Sequence, residues 1–184
     1  MHWLALQALH EPSQAPQGAS DGVPVGAAAA GAPAATADPA DPHGLADAAA
    51  ALGWWALRFT PRVALLEQTV LLEVSASERL FGGRQQLIML LLAAQRPVAR
   101  IRITQAGTAL LALARLQVHA PASREPDRLP LHSLADARPH LATLERLGCQ
   151  VWGDLRALPR GGVVRRFGAP LLDALDRAYG LKPE

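Results

Sequence analysis

Two short apolar runs, residues 63–66 (V-A-L-L) and 70–74 (V-L-L-E-V), stand either side of the polar triplet Glu67-Gln68-Thr69. Runs of this length bounded by polar turn residues are strand signals, and two so close in sequence pair most readily with each other. The spacing predicts a β-hairpin. Its second strand is nearly continuous in apolar residues, the pattern of a strand buried on both faces, so the hairpin belongs to a sheet with layers above and below it. Thr60-Pro61 closes whatever helix precedes the hairpin, because the residue ahead of a proline is pushed out of helical geometry. Ser75 to Ser77 ends the second strand, and Leu80-Phe81-Gly82-Gly83 turns the chain into a helix.

The flanking segments supply the other pieces of such a sheet. Residues 2–6 read as a strand ending at Gln7, and residues 43–59 as a helix repeating Leu45, Ala48, Ala49, Leu52, Ala56 and Phe59 at three- and four-residue spacing. Trp54-Trp55 falls inside that helix, as core. A second helix covers 83–95, with Leu87, Leu90, Leu91 and Ala94 on one face, and Pro97 stops it. An Arg-rich strand follows over 96–104, its Arg100 and Arg102 on the face opposite Ile101 and Ile103. The turn Gln105-Ala106-Gly107-Thr108 leads into a third helix. Strand, helix, strand, strand, helix, strand is an α+β order, the ferredoxin-like βαββαβ plan.

Residues 10–42 break this pattern. They are rich in Pro, Ala, Gly and Ser, lack aromatic residues, and contain the turn formers Asp38-Pro39 and Asp41-Pro42. Such a composition is expected to form a flexible linker. The domain division expected is therefore a first strand (1–9), a linker (10–42), an α+β domain (43–118) and a small helical domain (129–184).

In the last part, a helix over 138–147 leads into L-G-C-Q-V-W-G-D-L and a final helix over 170–179. Gly148 is expected to cap one helix and Asp154 to be the N-cap of the next. Pro159-Arg160-Gly161-Gly162 reads as a flexible turn, with Arg165 and Arg166 in the first turns of a helix starting near Gly162. A helix start with nearby guanidiniums attracts phosphate. Arg160, Gly161, Gly162, Arg165 and Arg166 are accordingly the candidate nucleic-acid-binding residues. Charge distribution agrees: residues 1–50 hold five acids and no Lys or Arg, whereas 51–184 hold all 18 basic residues against 11 acids. Lys182 is the one lysine, and arginine favours planar bidentate contact with phosphate.

Other chemistries find little support. One cysteine, Cys149, excludes an internal disulfide and a thiolate metal cluster, and reads as a small packing residue in a reducing compartment. The six histidines form no H-E-x-x-H, neither Gly-Gly pair precedes K-[ST], and Ser75 and Ser77 lack a nucleophile elbow. No apolar run is long enough to span a membrane, and the start M-H-W-L-A-L-Q-A-L lacks the positive region of a secretion signal. A cytoplasmic protein is expected, with no cofactor and no metal.

Thr60-Pro61-Arg62-Val63, Leu71-Leu72-Glu73-Val74-Ser75-Ala76-Ser77 and Leu80-Phe81-Gly82-Gly83, in that order, resemble the palm of Y-family (translesion) DNA polymerases. The wording is closest to the ImuB branch, whose members read R-F-T-P-R-V-A-L and L-L-L-E-V-S-G-S-x-R-L-F-G-G. The run L-G-x-x-x-W-G-D-L resembles the same family's thumb. The resemblance implies a palm followed by a helix-hairpin-helix-like thumb, the linker standing where active relatives carry their fingers.

It also implies an exception. The family's metal-binding acids fall on Gln7, Gln68 and Thr69, and the thumb's glycine hairpin on Ala135-Asp136-Ala137. The triphosphate-contacting lysine has no basic counterpart in the turn 105–108. Two-metal nucleotidyl transfer needs carboxylates, so no polymerase activity is expected. Instead, the resemblance implies a non-catalytic adaptor of damage-induced, error-prone DNA synthesis. Such a bacterial, nucleoid-associated protein contacts DNA weakly and without sequence preference. By the same resemblance, its protein partners would be an error-prone replicative-type polymerase, a RecA-like accessory protein and the sliding clamp. Two other readings stand beside it: a fragment or protein-interaction module without a DNA role, and an active nucleotidyltransferase using Glu67 and Glu73.

Overall fold

A computed structural model describes residues 1–9 and 42–184. The linker expected over 10–42 lies, but for its last residue, outside the described residues. The chain forms β1 (Trp3–Ala8), α1 (Pro42–Ala56), β2 (Val63–Leu66), β3 (Thr69–Glu73), α2 (Arg84–Ala93), β4 (Ile101–Ala106) and α3 (Ala109–Gln117). Helices α4 (Leu141–Arg146), α5 (Trp152–Ala157), α6 (Arg160–Phe167) and α7 (Ala169–Ala178) follow, preceded by three short 3-10 segments between Pro126 and His140. The class is α+β. The four strands make one antiparallel sheet in the order β2-β3-β1-β4.

The hairpin forms where its apolar runs place it, with a tighter turn than the polar triplet implies. Thr69 is already in β3 and pairs with Leu66, leaving Glu67 and Gln68 as the turn. Glu67 takes φ 50°, a left-handed conformation of the kind two-residue hairpin turns require. β3 is buried from Val70 to Glu73, whereas β2 is the sheet edge and is largely exposed.

Alternation along the strands divides the core in two. Leu4, Leu6, Val70 and Leu72 face α1 and α2 and pack with Leu52, Trp55, Phe59, Leu87 and Leu91. Ala5, Leu71 and Ala106 face the other way, toward α3 and the C-terminal helices. That second core runs without a break through Leu111, Leu116, Leu134, Leu144, Trp152, Phe167 and Leu175. Thr104 ties strand to helix by donating to the Ala112 carbonyl at 2.8 Å, and Thr108 ties α3 to α7 by donating to Ala178 O at 2.9 Å. The helical C-terminal part is thus built onto the sheet through α3.

Several expected boundaries shift. Trp55 is buried and donates its indole N–H to Gln95 O, but Trp54 is 76% exposed and is not core. Adjacent helical positions differ by about 100°, and α1 turns the side carrying Leu52, Trp55 and Ala56 to the core, leaving Trp54 outside it. Leu90 is likewise exposed, while Leu87 and Leu91 are buried. β4 begins at Ile101 rather than 96 and includes Gln105 and Ala106, which therefore are not a turn. Thr108 caps α3 by accepting from Leu111 N.

The L-G-x-x-x-W-G-D-L run proves to be largely a folding motif, although its first residue, Leu147, is exposed. Gly148 takes φ 81° just past α4, where a side chain would be strained. Trp152 is fully buried. Gly153 sits so close to the Asp127 backbone that a Cβ would meet its carbonyl oxygen at 3.0 Å. Asp154 is the third residue of α5 rather than its N-cap. Its carboxylate accepts from Gln150 N (2.8 Å) and Val151 N (3.1 Å), and those amides hold it below the usual carboxylate range. The Ala135-Asp136-Ala137 segment belongs to a 3-10 helix, Ala135–His140.

Candidate nucleic-acid interface

The three positions where metal-binding acids would stand come together at one end of the sheet. Gln7 pairs directly with Thr69 of β3, and Gln68 precedes Thr69 in the turn. On its other side Gln7 pairs with Arg102 of β4. Residues directly opposite across neighbouring strands share a sheet face, with Cα atoms about 4.5–5.5 Å apart. The row Thr69–Gln7–Arg102 therefore crosses three strands on the face that also carries Ala5 and Leu71.

A row of hydroxyl, amide and guanidinium does not fit a pair of divalent cations, which take hard anionic oxygen. Arg102 adds a positive charge where a cation pair would need negative ones. Arg100 lies at the same end, its carbonyl accepting from Leu9 N at 2.9 Å, and its side chain is exposed. Among the described residues no group of three or more His, Cys, Asp or Glu is placed to hold a metal ion.

Glu67 and Glu73, the pair available to an active nucleotidyltransferase, are not brought together. Glu67 is in the exposed hairpin turn and Glu73 at the far end of β3, roughly 20 Å away at about 3.3 Å per residue. Glu73 is instead a buried structural group. Its Oε1 accepts from Ser75 N (2.9 Å) and its Oε2 from Arg62 Nη1 (3.2 Å), while its backbone carbonyl accepts from Thr60 Oγ1 (2.6 Å). Burial pushes the Glu73 carboxyl up, but the Ser75 and Arg62 contacts outweigh it and hold it below its usual range. Thr60-Pro61-Arg62 and Glu73-Val74-Ser75 are thereby a single bonded unit.

The second candidate surface lies on α6. The structure places Arg160, Gly161 and Gly162 inside that helix, so the expected flexible turn is its first turn. Arg165 and Arg166 fall in the last turn, not the first, and the helix dipole there favours the cations themselves rather than a phosphate. Arg160 is committed to a bidentate pair with Asp176 of α7, at 3.0 and 2.7 Å. Asp176 is 3% exposed, and the Arg160 hydrogen bonds hold its carboxyl below the usual range against the effect of burial. Arg165 returns one bond to Gly161 O (3.3 Å), and the Arg166 guanidinium lies 6.0 Å from the Phe167 ring centroid. Both are exposed and form no ion pair with a described residue. Of the five candidate residues, Arg165 and Arg166 remain open to an anion, beside Gly161 on the exposed face.

Two cationic surfaces therefore stand on the molecule: Arg100 and Arg102 at the sheet end, and Arg165 and Arg166 on α6. The alternation of R-I-R-I showed the first of them in the sequence. The pairing of Arg160 with Asp176, 16 residues away, had no local signal.

The sheet carries T-P-R-V and E-V-S as one bonded unit, with amide and hydroxyl side chains at positions 7, 68 and 69, and sequence similarity places the chain with Y-family-polymerase-like proteins. More particularly, it is an ImuB-like homologue. It is 33% identical over 157 residues to Protein ImuB of Caulobacter vibrioides (strain NA1000 / CB15N), a match covering 79% of this chain and 34% of that protein. Protein ImuB of strain ATCC 19089 / CIP 103742 / CB 15 matches with the same figures. The chain thus spans about a third of the length of the curated relatives it matches. No family model and no solved structure matches.

Proposed function

We propose that this chain is a non-catalytic, polymerase-like protein of DNA-damage-induced mutagenesis, engaging DNA through sequence-independent phosphate contacts. The observation that carries the reading is the row Thr69–Gln7–Arg102, which offers a phosphate a guanidinium but offers metal ions no carboxylate. Without metals, neither the attacking 3′-oxygen nor the leaving pyrophosphate has its charge neutralised, a loss of several kcal/mol at the transition state. The palm-like sheet is then a docking platform. The similarity to ImuB supports a place in error-prone synthesis beside an error-prone polymerase, a RecA-like accessory protein and the sliding clamp.

Two measurements test this. Primer extension with Mg²⁺ or Mn²⁺ should give no template-dependent incorporation; incorporation abolished by Glu67→Ala or Glu73→Ala would overturn the reading. Duplex binding should be weak and indifferent to sequence, with a log–log salt slope of about −0.9 per phosphate neutralised. The double variant Arg165→Ala/Arg166→Ala, or Arg100→Ala/Arg102→Ala, should flatten that slope by up to about two units. A slope unchanged in both double variants would remove the DNA role.

A further inference from the structure

At the end of the sheet opposite Arg100 and Arg102, a cavity of about 390 Å³ opens between the start of α2, the end of β4 and α3. Its walls include His2, Arg84, Gln85, Gln105 and Arg115. Arg115 is the unusual member. It is 8% exposed, on a helix whose neighbouring residues are apolar core. Its Nη1 donates to Gln105 O (2.9 Å) and its Nη2 to Arg124 O (2.7 Å), while Nε is buried with no partner. It forms no ion pair with any described carboxylate.

A guanidinium held by two neutral carbonyls is still an uncompensated buried charge, and such charges are costly unless an anion is close. Burial lowers the Arg115 pKa, in the same sense. The cavity lining contains no described acid, and Glu78, which meets two of the lining residues, is already engaged: its Oε1 lies 2.7 Å from His2 Nδ1 and accepts from Arg84 Nε at 3.1 Å. Glu78 thus neutralises Arg84 and leaves Arg115 as the surplus charge.

A second observation is independent of the first. Arg84 and Gln85 are the opening residues of α2, a ten-residue helix whose N-cap is Gly83 and whose first-turn amides receive no side-chain cap. Uncapped amides at the positive end of a helix attract anions. The helix start and the buried guanidinium border the same cavity. Donors from several directions suit a tetrahedral anion with several oxygens better than a planar carboxylate.

We propose that this cavity binds an oxyanion of the phosphate class, held by Arg115, Arg84, the first amides of α2 and the Gln85 and Gln105 side chains. A smaller apolar cavity lined by Ile88, Ile103 and Pro121 adjoins it, sharing Ile88, Gln105 and Ala122, and would take the organic part of a phosphomonoester.

The experiment is a titration of the intact chain with inorganic phosphate and with phenyl phosphate, against sodium chloride and sodium acetate at matched ionic strength. It would be read by thermal midpoint and by the arginine Nε–H resonances. The expected result is a saturable rise in midpoint and saturable shifts of the Arg84 and Arg115 signals with phosphate but not acetate. Arg84→Met should raise the half-saturating concentration roughly ten-fold, a change of about 1.4 kcal/mol, and Arg115→Met should abolish saturation. If Arg115→Met does not fold, Arg84→Met decides. Tighter binding of phenyl phosphate would identify a monoester as ligand, and equal or weaker binding free phosphate. Phosphate also stabilises proteins without binding a site; an unsaturable rise, equal in wild type and Arg84→Met, or an equal response to acetate, would overturn the proposal.

Discussion

Replacing Glu73 with alanine should destabilise the fold far more than replacing it with glutamine. The carboxylate is 4% exposed and accepts from the Ser75 amide at 2.9 Å and from Arg62 at 3.2 Å. Alanine keeps the backbone bonds to Thr60 and Arg62 but strips the Ser75 amide of a charged acceptor, a loss of about 1.5–3 kcal/mol. The Arg62 side chain is 69% exposed, so its pair adds only about 0–1 kcal/mol. The one lost methylene adds about 0.8 kcal/mol, and relief of the buried charge offsets part of the sum. The net expectation is about 2–4 kcal/mol for Glu73→Ala. Glutamine retains an acceptor for the Ser75 amide and should cost only about 1 kcal/mol.

Urea denaturation with shared slopes measures both variants. The sign of the pH dependence follows from the depressed Glu73 pKa. Its contribution is complete above the unfolded glutamate pKa and is lost as pH falls through the lower folded value. The gap between wild type and Glu73→Gln should therefore close as pH drops from about 6 to below about 4. An alanine variant within about 0.5 kcal/mol of wild type, or a glutamine variant as damaged as the alanine one, would refute this account of why the two motifs occur together.

The adjacent tryptophans give a sharper contrast. Trp55→Ala should cost about 3–5 kcal/mol in the same assay, whereas Trp54→Ala, at a site 76% exposed, should stay within about 0.5 kcal/mol. Asp176→Asn should lower stability at neutral pH and remove part of the acid dependence. Asp176 is depressed by Arg160, so its contribution is present above about pH 4 and lost below it; parallel pH–stability curves for wild type and variant would contradict the pairing. Gly153→Ala, whose Cβ would lie 3.0 Å from Asp127 O, should destabilise by about 1–3 kcal/mol, seen as a lower thermal midpoint.

The sequence by itself determined the hairpin, the order of strands and helices through α3, and the absence of acids at positions 7, 68 and 69. These are properties of local periodicity and residue identity, and the strand pattern is short-range: alternating burial is written in consecutive residues. Which groups face one another was decided by tertiary structure. Thr69, Gln7 and Arg102 stand in one row because three strands distant in the chain share a register, which no window of sequence contains. Helix α6 absorbs Gly161 and Gly162, each costing about 1 kcal/mol in helix propensity, because Val163 and Phe167 are buried and Arg160 meets Asp176. Trp54 and Trp55 are chemically alike, and only the direction of α1 over the sheet separates them. Nothing in the local sequence marks Arg115 as buried. It is buried because its face of α3 lies between β4 and the loop carrying Arg124, whose carbonyls hold its guanidinium.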